Sequence, residues 1–245
     1  VDAAISIDQV TKRFGAVQAV SDVSLTVRSG EIMGFLGTNG AGKTTTIKML
    51  LGFFAPDAGR VRIFGADPVN AAARSRIGFM PETAYYYRYL NLRELLRFYG
   101  GLCGMSAAAI RARTEQLIPQ VGLADAGDRL LTHYSKGMLQ RAGIAQALLH
   151  DPDLLILDEP LTGLDPLARI QFRDLILALR DQGKTIFFSS HELSEAELIC
   201  DRVAILKQGR LVWLGSCGDI VGDGGQNLER IFLNLLAPGT PEAPP

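Results

Sequence analysis

The chain has 245 residues, 47% of them apolar and 21% charged, with a formal net charge of −1. Such a length suits one large domain or one domain with inserted subdomains, and the balanced charge excludes a global basic field that would recruit nucleic acid. No apolar stretch approaches the ~18 residues needed to cross a bilayer, and no charged-then-apolar leader stands at Val1. Cys103, Cys200 and Cys217 are too dispersed for a disulfide framework or a C-x-x-C pair, which points to a reducing compartment and to a buried packing role for each.

Apolar residues alternate at Ile5 and Ile7, at Val23, Leu25 and Val27, and in Arg60–Phe64. This predicts antiparallel strands with one wet face. Between them, Ile32, Met33, Phe35 and Leu36 predict a buried strand. It runs into Gly-Thr-Asn-Gly-Ala-Gly-Lys-Thr at 37–44, the pattern G-x-x-x-x-G-K-[ST], and Thr45, Ile47, Met49, Leu50 and Leu51 continue as a helix. Strand, glycine loop and helix form the context of a nucleotide site. The glycines let the backbone of Gly37, Thr38, Asn39, Gly40, Ala41, Gly42, Lys43, Thr44 and Thr45 approach phosphates, on which several N–H groups converge. Lys43 adds a mobile positive charge for the β- and γ-phosphates, and Thr44 offers a hydroxyl to Mg²⁺.

Residues 85–150 are rich in Leu, Ala and Arg, with Leu92, Leu95, Leu96 and Tyr99 at helical spacing. Ala107–Val121 and Leu139–Leu149 continue in that style, so a helical insert is expected. After Asp151-Pro152, strands are expected at Leu154–Leu157 and Thr185–Ser189, separated by a helix from about Leu167 to Arg180. Strand–helix–strand with apolar strands implies a parallel sheet. Asp158 and Glu159 stand at the exit of the first of these strands, the edge where open α/β sheets bind ligands. Asp158 can hold Mg²⁺ directly or through water, and Glu159 can orient an attacking water or take its proton. His191 follows Ser189-Ser190 at another strand exit and can reach a γ-phosphate or the water line. Gln208-Gly209 marks a hairpin between Val203–Leu206 and Arg210–Leu214. Gly222, Gly224 and Gly225 form a loose connector to a short helix, Leu228–Leu236, and the proline-rich tail 237–245 is expected to be disordered.

With these motifs in place, the chain resembles the nucleotide-binding subunit of an ABC transporter over about residues 4–236. The distinguishing mark is Tyr-Ser-Lys-Gly-Met-Leu-Gln-Arg at 134–141, standing where that family has L-S-G-G-Q-x-Q-R. Ser135, Gly137, Gln140 and Arg141 are retained; Tyr134, Lys136 and Met138 depart. The resemblance implies an α/β fold: a P-loop NTPase (RecA-like) core with an N-terminal antiparallel β subdomain (together 1–84 and 151–236) and an inserted α-helical subdomain (85–150). It implies that the signature binds the γ-phosphate of ATP held by a partner subunit, a task suited to a helix N-terminus. Lys136 either adds a charge-assisted contact in trans or is simply solvated. Phe14 matches the aromatic that stacks on adenine, its alternative being a core ring. Gly163-Leu164-Asp165 matches the loop that crosses the dimer interface. Glu82 occupies the place of a Gln that touches the metal–water shell and links ATP to the transmembrane partner, so it joins Thr44 and Asp158 as a metal ligand and is expected to act as a sensor. Tyr85, Tyr86, Tyr87 and Tyr89 lie where the family receives a short helix of the membrane subunit; packing within the insert is the other reading.

The reaction so implied is hydrolysis of MgATP, which relies on positioning and charge neutralisation. One subunit contributes Lys43, Asp158, Glu159 and His191, and the other Ser135 and Gly137, so ATP should join two copies. A peripheral place at the cytoplasmic face of the membrane follows, bound through a transmembrane permease, with no nucleic-acid partner. The single cassette and the Pro-Glu-Thr-Ala-Tyr-Tyr-Tyr segment look most similar to ATPases of drug, sodium or organic-solute exporters. A soluble ATPase of the same type acting on ribosomes or DNA is the runner-up; the single cassette and absent heptads oppose it. A sensing module without turnover is opposed by Asp158-Glu159.

Overall fold

The computed structural model describes residues 2–218 and 228–236. The expected 222–225 connector and 237–245 tail lie outside these residues. Two compact units are present, one from Val1–Arg74 with Thr185–Pro245 and one from Ser75–Lys184.

In the first unit, strands β1 (Ala3–Phe14), β2 (Val17–Arg28) and β4 (Ala58–Ile63) make an antiparallel sheet in the order β2-β1-β4. The alternation seen in the sequence is the burial pattern: Ile5, Ile7, Val23, Leu25, Val27, Val61 and Ile63 point inward. Both long strands break register, and Gln9 and Asp22 take positive φ where they do. Strand β3 (Ile32–Gly37) is buried at every position and lies between β7 (Thr185–Ser190) and β8 (Arg202–Lys207), parallel to both. Strand β9 (Arg210–Ser216) returns antiparallel to β8 through the Gln208-Gly209 turn. Continuous apolar runs belong to strands covered on both faces, and here Phe35 stacks on Phe187 at 5.1 Å. The start of β3 is pinned by polar contacts. Asp201 Oδ2 accepts from Ile32 N at 2.8 Å, and Arg202 pairs with the buried Glu31 at 3.1 Å. Helices α1 (Lys43–Leu50), α2 (Ala71–Arg74), α7 (Leu193–Ile199) and α8 (Leu228–Leu236) complete the unit.

In the second unit, β5 (Ile77–Met80) and β6 (Leu154–Leu157) pair in parallel. Helices α3 (Leu92–Leu102), α4 (Ala107–Gln120) and α5 (Lys136–Ala147) lie between them in sequence, joined by two 3₁₀ turns, and α6 (Pro166–Asp181) follows β6. Each long helix has a cap. Asn91 and Glu94 form a reciprocal capping box on α3, while Ser106, Ser135 and Asp165 accept from the third backbone N–H of α4, α5 and α6. The apolar stripe Leu92, Leu95, Leu96 of α3 meets Ile110, Leu117 and Ile118 of α4 in a small core of the unit. Gly100 is part of that packing, because a Cβ there would sit 2.6 Å from Ile110.

Among the described residues, no helix is long and apolar enough to cross a membrane. The cysteine expectation holds for Cys200 and Cys217, which are buried and whose thiols burial pushes up, but not for Cys103. Cys103 is exposed because it is the C-cap of α3, ahead of Gly104 with φ 72 on the solvent side of the turn.

Candidate functional site

The phosphate loop is assembled from the end of β3 and the start of α1. Ala41 N donates to Thr38 O at 3.1 Å, which tightens the turn, and Gly42 caps the helix with φ 107. A side chain at Gly42 is excluded twice: by that φ, and by the carbonyl of Ala19 on β2, which lies 2.5 Å from the Cβ position. The hairpin turn braces the other side. Gly209 N donates to Ala41 O at 2.9 Å, and Ser21 N donates to Gly209 O at 2.8 Å. Three strands thus hold the loop, and Ala19 and Gly209 are contributors that sequence motifs do not mark. Lys43 is buried, and its ammonium donates to Gly37 O at 2.7 Å and Thr38 O at 3.4 Å. Thr38, Asn39, Gly40 and Thr44 face solvent, Thr45 is half-buried, and the first turn of α1 carries no acid. Converging N–H groups without a competing carboxylate suit a polyanion.

The parallel register of β3 with β7 aligns Leu36 with Ser190, so Gly37 and His191 leave neighbouring strands at the same edge. His191 is exposed there. Phe14, at the end of β1, is 50% exposed, which excludes the core-ring alternative. Its ring meets Phe54 edge-to-face at 5.5 Å, and Lys12 Nζ lies 5.8 Å and 5.3 Å from the two ring centres while bonded to Asp57 at 2.8 Å. An exposed ring held at right angles by a second ring is a platform for a flat aromatic group. Phe54 is a further member that the sequence reading did not single out.

In the second unit, β5 and β6 deliver the carboxylates. Met80 pairs with Leu157 and Asp158 N donates to Met80 O at 2.9 Å, so Pro81-Glu82 and Asp158-Glu159 emerge at one end of a parallel pair. Asp158 and Glu159 are buried and Glu82 is exposed. Glu159 holds φ 49, a costly conformation for a side chain of its size, and its Oε2 accepts from Thr162 Oγ1 at 3.3 Å. Among the described residues, no three His, Cys, Asp or Glu side chains gather into a preformed metal cluster. Mg²⁺ usually keeps waters and takes one or two carboxylates together with phosphate oxygens, and within this unit Asp158 and Glu82 offer that hard-oxygen chemistry.

The signature residues lie where two helix N-termini meet. Ser135 Oγ accepts from Met138 N at 3.2 Å at the start of α5, and Asp165 Oδ1 accepts from Ala168 N at 2.8 Å at the start of α6. Gly137 permits the approach, since a Cβ there would be 2.8 Å from that of Ala168. Tyr134, in the family's Leu position, is buried and donates to Ala126 O at 2.7 Å, so its ring and hydroxyl are both accommodated. Lys136 is exposed, and its side chain lies over Gly163 of the same chain.

The tyrosine run divides. Tyr85 is 90% exposed, and Tyr87 and Tyr89 also face outward, their rings 5.8 Å apart. Tyr86 turns in against Gly143 of α5, and burial pushes its phenol well up. Packing within the insert therefore holds for Tyr86, while Tyr85, Tyr87 and Tyr89 are left on the surface.

Comparison with known proteins gives the family. The profile described as "ABC transporter" matches residues 20–162. An uncharacterized ABC transporter ATP-binding protein of Nostoc sp. is 49% identical over 208 residues, covering 84% of this chain and 62% of that protein. The chain thus spans less than two thirds of that relative. A Nod factor export ATP-binding protein of Paraburkholderia xenovorans is 42% identical over 217 residues, covering 88% of the chain and 71% of the relative. A solved ATP-binding subunit of an ABC transporter superposes with a TM-score of 0.84 at 33% identity, covering 96% of this chain and all of the other.

Proposed function

The chain belongs to the ABC transporter family as its ATP-binding ATPase domain, and from that premise we propose that two copies clasp two MgATP, hydrolyse them, and so drive export by a separate transmembrane subunit. Lys43 and the N–H groups of residues 37–45 bind the phosphates, Thr44, Asp158 and Glu82 hold Mg²⁺, and Phe14 stacks on adenine with Phe54 behind it. Glu159 orients the attacking water, and His191 attends the γ-phosphate. Ser135, Gly137 and Asp165 act on the nucleotide or interface of the opposite copy. The exposed Tyr85, Tyr87 and Tyr89 receive the permease, which puts the chain at the cytoplasmic face, peripheral to the membrane, without nucleic acid. Export is the direction taken from the Nod factor relative.

One observation carries the reading. A closed phosphate loop and an open, Ser-capped helix start occur in the same chain. Neither alone surrounds a triphosphate, and two copies supply what each lacks. Burying an interface only while ATP is present couples chemistry to movement of the partner. The test is Glu159→Gln. Loss of the base should slow turnover by about 10²–10⁴-fold and leave an ATP-dependent dimer visible by sedimentation. Hydrolysis at the parent rate would remove Glu159 from its role, and a species that stays monomeric in saturating MgATP would sink the paired-copy scheme.

A further inference from the structure

Lys136 contradicts the rules of its own helix. It is the first residue of α5, where unbonded N–H groups and the helix dipole favour anions over cations. The start of α6 lies alongside, through Gly137 and Ala168, and neither first turn holds an acid. Among the described residues Lys136 makes no hydrogen bond or ion pair. Its side chain is laid instead over Gly163, with Cδ 3.8 Å and Cε 3.4 Å from the Cβ position of that glycine and Nζ nearer still. The seat exists because residue 163 has no side chain and takes φ 69.

Gly163 closes a short turn that begins at the base. Thr162 N donates to Glu159 O at 3.2 Å, Thr162 Oγ1 donates to Glu159 Oε2 at 3.3 Å, and Leu164 N donates to Leu161 O at 3.2 Å. Contacts therefore run without a gap from Lys136 through Gly163 and Thr162 to the Glu159 carboxylate. Among the described residues the ammonium forms no ion pair in this seat, so a phosphate group can draw it off.

We propose that Lys136 is a positioning residue for Glu159. Seated over Gly163, it holds the 159–165 turn with the Glu159 carboxylate tied to Thr162, and it leaves that seat when its ammonium meets the phosphates of a nucleotide bound by a second copy. The inference rests on the paired-copy reading and deepens it: each base is released only once the opposite nucleotide has arrived.

Steady-state ATPase of the full chain tests this with Lys136→Met, Lys136→Arg, Lys136→Gly, Gly163→Ala and the double variant Lys136→Gly/Gly163→Ala. Methionine keeps an apolar stem on Gly163 but carries no charge for phosphate to draw off. Its kcat should fall about tenfold and its sigmoidal response to ATP should flatten. The affinity of single copies for a fluorescent ATP analogue, read at protein concentrations too low for pairing, should not move. Lys136→Arg should recover most of the rate and the sigmoidal shape. Gly163→Ala should impair the chain carrying Lys136 about fivefold more than the chain carrying Gly at 136, a coupling expected of touching residues. Parent kcat and curve shape in Lys136→Met, or additive effects in the cycle, would overturn the proposal. If Gly163→Ala does not fold, the Met and Arg variants still decide. A Glu159→Gln protein that fails to pair in ATP would sink the paired-copy reading itself; pairing there with a silent Lys136→Met would sink only this inference.

Discussion

At the start of α1 the ammonium of Lys43 is buried and bonded to two backbone carbonyls, whereas at the start of α5 that of Lys136 is exposed and rests on a glycine. Both helices begin with a glycine or serine cap and no acid in the first turn, so both favour an anion. They differ in what surrounds them. The α1 loop is braced by β2 and by the β8–β9 turn. The α5 start is fixed from behind, by Ala168 of α6, and is open in front. Preorganisation at one end suits tight binding of a nucleotide by a single copy. An open, rigidly backed end suits a ligand carried in by something else.

The largest effect should come from disturbing the closed end. Gly42→Ala puts a Cβ 2.5 Å from Ala19 O at a φ of 107, so the loop has to leave the strand that supports it. Affinity for ATP should fall at least about 100-fold, with a loss of stability of about 1–3 kcal/mol from the strained backbone. Nucleotide titration and thermal melting measure the two. Retained affinity would show that the brace on β2 does not shape the loop.

The matching change at the open end is Ser135→Ala. Removing the cap should cost about 1 kcal/mol of stability. Single-copy affinity for ATP should stay as it is, while the ATP-dependent pairing of a Glu159→Gln background should weaken about tenfold, near the usual worth of a charge-assisted hydrogen bond. Equal loss of single-copy affinity in both variants would erase the distinction between the two ends.

This contrast was only half legible in the sequence. The phosphate loop is a contiguous pattern, and Leu154–Leu157 and Leu228–Leu236 fall where expected because carboxylates end the first and a glycine-rich stretch precedes the second. The braces are not contiguous. Ala19 and Gly209 reach the loop through backbone atoms, which leave no composition signal. Strand β5 has four residues, is nearly all buried and contains Gly78, so it shows no alternation; the glycine is there because a Cβ would meet the backbone of Ala147. Phe54 looks like any apolar residue until its ring is seen against Phe14. The fate of Lys136 depended on an absent side chain at 163, far along the chain.

A smaller effect probes the outer rim of the closed end. Phe54→Ala leaves Phe14 in place but removes the ring set at 87° against it and one of the two rings beside Lys12. If Phe54 serves by holding a stacking platform, ATP affinity should fall about 3–10-fold, the worth of one aromatic pair, and inorganic triphosphate should bind as before. Equal weakening of both ligands would point to a general disturbance of β1 rather than to support of a base.

The smallest expected effect separates the two units by pH. At the far end of α5, His150 is half-buried and its ring nitrogen lies 3.0 Å from Ile77 O, at the start of β5. Burial lowers its pKa below the ordinary 6.5. The bond to Ile77 O and the charge of Asp151 work against that, while Lys184 and Arg113 reinforce it. The unfolded chain therefore takes up a proton near pH 6.5 that the folded chain resists, so stability falls as pH drops below that value. Asp151, whose carboxylate Lys184 holds below its usual range, contributes loss only at lower pH, below about 3.8. Between roughly pH 5 and 6.5 the slope thus belongs to His150, and His150→Gln should flatten it. Hydrogen exchange read by segment should show the acid-induced opening in residues 75–184 ahead of the β3–α1 loop. A slope unchanged in His150→Gln would assign the acid sensitivity to other groups, and opening that starts at the loop would make the closed end the weaker of the two.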